Sequence, residues 1–152
     1  MDVGPPASYL RFMPKPDPAL LDPARYPFSC DIEPRFGDQD LNRHLNNVAI
    51  ASFIEDARVR FYHANGFRAH IRDLNVMIVS VAIEYLGQAH YPGAITIHCA
   101  VEKIGRSSLT LVQVLRQGET LVGFARSVMV AVDPQGAVQP VPQVFDGWML
   151  RS

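Results

Sequence analysis

Apolar and polar residues alternate from Phe28 through Cys30 to Ile32, the period of a half-buried strand. Pro34, two residues on, predicts an edge or a bulge near the end of that strand. The period then changes. In NVAIASFIEDARVRFYHANGF, Ile50, Phe53, Ile54, Ala57 and Phe61 recur at steps of three and four, the stripe of a helix that buries one face. Asp56 and Arg60 stand four apart and should pair on the outside. Asn46 or Asn47 suits the N-cap, and Gly66 suits the stop. Eighteen helical residues would span roughly 27 Å, enough to run along a whole sheet.

Beyond the helix the pattern is strand after strand. VMIVSVAIEYL (76–86), AITIHCAVEKI (94–104), SLTLVQVLRQ (108–117) and TLVGFARSVMVAV (120–132) are rich in β-branched residues and partly alternate. Turn residues fill the joints HYPG, GRSS and QGE, and the last two are short enough for hairpins. The sheet should therefore be largely antiparallel. A strand, a long helix and four further strands make an α+β layout, one helix against a curved antiparallel sheet. Such a sheet leaves edges that invite pairing with a second copy.

Residues 1–25 read as a proline-rich arm and residues 26–152 as a single domain. Seven of the 12 prolines lie within residues 1–27: Pro5, Pro6, Pro14, Pro16, Pro18, Pro23 and Pro27. Proline fixes φ and removes a donor, so little regular structure is expected there. Tyr9, Leu10, Phe12, Met13, Leu20 and Leu21 give the arm apolar positions with which to lie across the domain or a neighbouring subunit.

Composition narrows the function classes. With 48% hydrophobic and 19% charged residues, the 152-residue chain can bury a sizeable core. A net charge of -1 argues against nucleic acid as the main partner. No apolar run approaches the roughly 18 residues of a membrane span. MDVGPPASYL lacks the basic and apolar blocks of a secretion signal, so a cytoplasmic protein is expected. Cys30 and Cys99 are then expected as free thiols.

The densest chemistry lies in FGDQDLNRHLNN, residues 36–47, which holds Asp38, Asp40, Asn42, His44, Asn46 and Asn47. Its opening is close to a calcium loop, but Arg43 and Ala49 stand where that loop needs Gly and Glu. None of the five histidines pairs at i,i+4, so no metal site is expected. The run instead links a strand to the N-terminus of the long helix. Free N–H groups and a partial positive charge there suit an oxyanion. A carboxylate a few residues upstream supplies a base or nucleophile beside it, the minimal kit for acyl transfer.

These residues resemble the opening of hotdog-fold acyl-coenzyme A (acyl-CoA) thioesterases of the 4-hydroxybenzoyl-CoA thioesterase-like group. The shared pattern is D-x-D-x-x-x-H-x-N-N followed by a helix with E-x-A-R. It falls here on Asp38, Asp40, His44, Asn46 and Asn47, then Glu55, Ala57 and Arg58. AIEYLGQAHYPGAITIHCAVEKIGRSSLTLVQVL is similar to the later strands, so the resemblance covers roughly residues 26–142. It implies a hotdog fold, dimers or tetramers with sites at the dimer interface, and no cofactor beyond the CoA of the substrate. It also implies Asp40 as the catalytic carboxylate, general base or nucleophile, and the Asn47 N–H as holder of the thioester carbonyl.

DLNRHLNN is similar as well to a stretch of acyl-ACP (acyl carrier protein) thioesterases, in which the counterparts of Asp40, Asn42 and His44 all serve the site. That branch also uses a glutamate where Gln88 stands here, and Gln cannot act as a base. Arg43 replaces the glycine of many acyl-CoA members. The expected activity is hydrolysis of an acyl-CoA thioester to a carboxylic acid and free CoA, with Asn42, His44 and Asn46 orienting the reacting groups. The alternatives are hydrolysis of acyl-ACP, acyl-thioester dehydration and acyl-CoA binding without turnover. Arg106, in the GRSS turn, is a candidate for a CoA phosphate. Glu55 is expected to pair with Arg58, and Glu84 to face solvent.

Overall fold

A computed structural model describes residues 15–152. The elements follow in the order β1 (Phe28–Ile32), α1 (Asn47–Ala64), α2 (Phe67–His70), β2 (Asn75–Tyr85), β3 (Ile95–Ile104), β4 (Ser108–Gln117), β5 (Thr120–Val132) and β6 (Val138–Gln139). The strands form one sheet in the order β1-β3-β4-β5-β2, with β6 beside β5, and every pair is antiparallel. One long helix packed on an antiparallel sheet is the hotdog arrangement expected from the sequence.

Helix α1 packs as its stripe requires. Ile50, Phe53, Ile54, Ala57 and Phe61 are all buried, and they join strand residues such as Ile97, Cys99, Leu111 and Ala125 in one core. Asn46 caps the helix by accepting from the Ala49 N–H at 2.7 Å, and Gly66 leaves it at φ 75, a left-handed turn that glycine adopts without strain. Asp56 and Arg60 pair on the exposed side at 2.9 Å.

Two expectations fail. Glu55 is exposed and does not pair with Arg58, which is buried instead, its Nη1 3.3 Å from the Ser127 hydroxyl of β5. Arg58 follows Ala57 at the rim of the buried stripe, so its stem packs inward and its head reaches a strand hydroxyl. Glu84 does not face solvent either. It lies opposite Phe124 in the β2–β5 register and is half-buried, with Oε2 shut from solvent and without a partner among the described residues.

The sheet's outer face has its own small cluster. Tyr26, Ala100, Val112, Val114 and Phe124 are buried there, and Leu20 and Leu21 of the arm pack on them. Arm residues before Lys15, including Tyr9, Leu10, Phe12 and Met13, lie outside the described residues.

The two sheet edges differ. Beyond β1, the segment at residues 148–150 continues the edge of β3, with Val101 N–H donating to Trp148 O and Leu150 N–H to Val101 O. Strand β2 has no such cover among the described residues, and Met77, Ile78, Val79 and Val81 are exposed along it. No described helix is long and apolar enough to cross a membrane.

Candidate active site

The run from residue 35 to residue 47 folds as two consecutive turns. In the first, Phe36–Asp38 makes a 3-10 turn that the Asp38 carboxylate closes. Asp38 accepts from the Arg35 N–H at 2.7 Å through Oδ2 and from the Arg35 guanidinium at 3.0 Å through Oδ1. Those bonds hold its carboxyl below the usual carboxylate range. Asp38 is buried, and its own carbonyl accepts from the Asn46 N–H at 2.9 Å, so the first turn anchors the helix cap.

The second turn runs from Gln39 to Leu45, which form an antiparallel bridge. Asp40 N–H donates to His44 O at 2.8 Å, and Arg43 N–H to Asp40 O at 3.0 Å. Arg43 sits at φ 60, in the left-handed region that favours glycine. The Asp40 Oδ1 accepts from the Asn42 N–H at 2.8 Å and the His44 N–H at 3.1 Å. Its Oδ2 has no partner among the described residues, and the side chain is exposed. One oxygen thus fixes the carboxylate to its own loop and the other takes no part in doing so.

The helix supplies the complementary charge. Asn47 is the first residue of α1, and its N–H has no partner among the described residues. A cavity of about 240 Å³ joins Asp40, Asn42, His44 and Asn47 to Tyr85 and Gln88. A second, of about 750 Å³, is also lined by Asp40 and opens between Phe36, Arg43, His90 and Tyr91. Phe36 and Tyr91 meet edge to face at 5.8 Å, and His44 and His90 do so at 5.0 Å.

Most of the candidate residues therefore converge. Asp40, Asn42, His44 and Asn47 share the smaller cavity. The Asn46 amide oxygen is spent on the helix cap, which makes it a positioning group. Arg106 is exposed in the β3–β4 turn, at the far end of β3 from the Asp40 loop; β3 spans roughly 30 Å at about 3.3 Å per residue. Within one chain the fold does not bring Arg106 to this site.

Other contributors carry no motif. The Tyr85 hydroxyl donates to Asn47 O at 3.2 Å, which ties the end of β2 to the start of the helix. Leu45 N–H donates to Ala89 O at 2.8 Å, which docks the second turn on the segment after β2. The Gln117 amide holds the next loop, accepting from His90 N–H at 2.9 Å and donating to His90 O at 2.7 Å and Gly93 O at 3.0 Å. Gly87 allows a close approach to β5, since a Cβ there would meet Leu121 O at 2.3 Å.

Known proteins agree with this architecture. The PA5185 protein of Pseudomonas aeruginosa PAO1 superposes with a TM-score of 0.74 at 23% identity, over 85% of this chain and 94% of that one. A predicted thioesterase of Bacillus stearothermophilus gives 0.70 at 24% identity, over 82% and 98%. Slr0204 of Synechocystis, a 1,4-dihydroxy-2-naphthoyl-CoA thioesterase, gives 0.68 at 14% identity, over 78% and 92%. No curated protein matches the chain. Residues 34–149, which contain both turns and every strand from β2 to β6, match the thioesterase-like superfamily, and the chain belongs to that superfamily.

Proposed function

We propose that the protein hydrolyses an acyl-CoA thioester to a carboxylic acid and free CoA. The observation that carries this reading is the pairing, in one small cavity, of a carboxylate oxygen and a helix N–H that both lack a partner among the described residues. A thioester carbonyl placed there meets a donor at its oxygen and a base beside its carbon. Asp40 takes a proton from water as the water oxygen bonds to the carbonyl carbon. The Asn47 N–H and the helix dipole hold the charge that develops on the carbonyl oxygen, and one such donor is worth roughly 2.7–4 kcal/mol where measured in another enzyme. Collapse breaks the C–S bond, and the leaving thiolate recovers the proton. Thiolate leaves readily, so no strong acid is required.

Asp40 lines two cavities, so one can take the acyl group and the other the pantetheine arm. The Synechocystis structural neighbour acts on a CoA thioester, which favours CoA as the carrier. The test is release of free thiol by purified protein across short, long, branched and aromatic acyl-CoAs. Thiol appearing with at least one of them supports the reading. Binding without thiol release, or an enoyl thioester as product, overturns it.

The active form is a dimer joined at β2. Among the described residues that strand offers a long unpaired edge with Met77, Ile78, Val79 and Val81 exposed, a liability that pairing with a second copy removes. Tyr85 at its end lines the cavity, so the pairing brings the second copy close to the site. Val79→Asp should give a monomer with reduced turnover in sedimentation and thiol-release assays; an unchanged sedimentation coefficient contradicts the pairing.

A further inference from the structure

We infer that Gln88 supplies a second oxyanion donor, opposite the Asn47 N–H, in a site that rests on the thioesterase reading above. The backbone around Gln88 is held on both sides. After β2, the N–H groups of Leu86 and Gly87 both donate to Val122 O, at 2.9 and 3.1 Å. Only glycine permits this approach, because a Cβ at residue 87 would lie 2.3 Å from Leu121 O. Immediately after Gln88, Ala89 O accepts from the Leu45 N–H at 2.8 Å. Gln88 is therefore fastened to β5 on one side and to the Asp40 loop on the other, and cannot drift from the cavity that it lines.

Its amide is not used by the fold. Oε1 is shut from solvent without a hydrogen-bond partner, and Nε2 has no protein acceptor among the described residues. A buried amide oxygen left unpaired opposes stability, and an apolar side chain of similar shape would pack there at less cost. With Oε1 shut from solvent, the N–H donors are what this carboxamide can present to a ligand. Besides Asn42, His44 and Tyr85, the cavity holds a carboxylate, Asp40, and a backbone donor at the helix start, Asn47. What that pair lacks is a second donor for the carbonyl oxygen, fixed in place before charge develops. Gln88 fits that need. It also leaves Asp40 as the proton acceptor, because an amide cannot take the proton.

The step balances within these groups. The water oxygen bonds to the carbonyl carbon, its proton passes to Asp40, and the C=O electron pair moves onto the oxygen held by Asn47 and Gln88. Re-formation of the C=O bond expels the thiolate, which takes the proton from Asp40.

Gln88→Met keeps the length of the side chain and removes its N–H donors. Assayed with an acyl-CoA that the wild type hydrolyses, the variant should lose roughly 10²–10³-fold in kcat. KM should change less than about threefold, and the melting temperature should hold or rise, since a buried unpaired oxygen is removed. Gln88→Leu, a second variant, should behave alike if the first is poorly soluble. Wild-type kcat in a folded variant overturns the inference and leaves the thioesterase reading standing. A fall in kcat matched by a fall in melting temperature assigns Gln88 to the fold and overturns it too. A wild type that releases no thiol from any acyl-CoA overturns both.

Discussion

The turn at residues 35–38 and the turn at residues 40–44 differ in what their carboxylates have left to give. Asp38 is buried, and both of its oxygens are engaged by Arg35. Asp40, two residues on, is exposed, and it commits only Oδ1, to two N–H groups of its own loop. The first aspartate is a fastener; the second is fastened and still has an oxygen to use. The same division runs through the asparagines. Asn46 spends its side chain on the helix cap, whereas Asn47 presents a backbone N–H without a partner. Chemistry needs a free group held still, and here each free group is held by a spent neighbour.

Substitutions that strike the free groups should cost activity, and those that strike their fasteners should cost stability first. Asp40→Asn should have the largest effect, a loss of roughly 10²–10⁴-fold in kcat, the range for removal of a general base. Its melting temperature should stay near that of the wild type, because Asn retains an oxygen for the two loop N–H groups. Asn46→Ala should come next. Loss of an N-cap costs about 1 kcal/mol, read by urea denaturation, and a smaller fall in kcat should accompany it as the first helical turn loses its aim.

Asp38→Asn should have the smallest effect, and one that depends on pH. Arg35 and the backbone N–H hold the Asp38 carboxyl below the usual range of about 3.9. The native state therefore favours the ionised form, and the resulting stabilisation is full above that usual value. It is lost as pH falls through the lowered native value. Denaturation curves of wild type and Asp38→Asn should thus differ at neutral pH and converge on acidification below about pH 4. Curves that stay parallel to low pH would deny Asp38 its fastening role.

The division between fastened and free was only partly legible in the chain. The stripe Ile50, Phe53, Ile54, Ala57 and Phe61 was readable because helical period alone decides which face is buried. The strand limits were readable because turn residues mark them. The nearness of Asp40 and Asn47 in one cavity was readable because the polar run abuts a helix start. The failures share a cause, dependence on distant partners. Arg58 was expected to meet Glu55 on the surface, but Ser127, 69 residues away, offers it a buried hydroxyl. Glu84 was expected in solvent, and its place opposite Phe124 half-buries it. Arg106 was a phosphate candidate from its type and its place in the GRSS turn, and within one chain the hairpin carries it to the far end of β3. Tyr85 and Ala89 enter the site through contacts with Asn47 and Leu45, which no local pattern records. Gly87 was the exception with a local mark, and its meaning depended on Leu121 across the sheet.

The most direct test of the central claim, that the unengaged oxygen of Asp40 performs the chemistry, sets binding against turnover in one variant. Titration calorimetry and thiol release would be measured for wild type and Asp40→Asn with the same acyl-CoA. The account predicts comparable dissociation constants for the two proteins, with thiol release collapsing in the variant alone. Thiol release by Asp40→Asn at the wild-type rate, with binding intact, would contradict it.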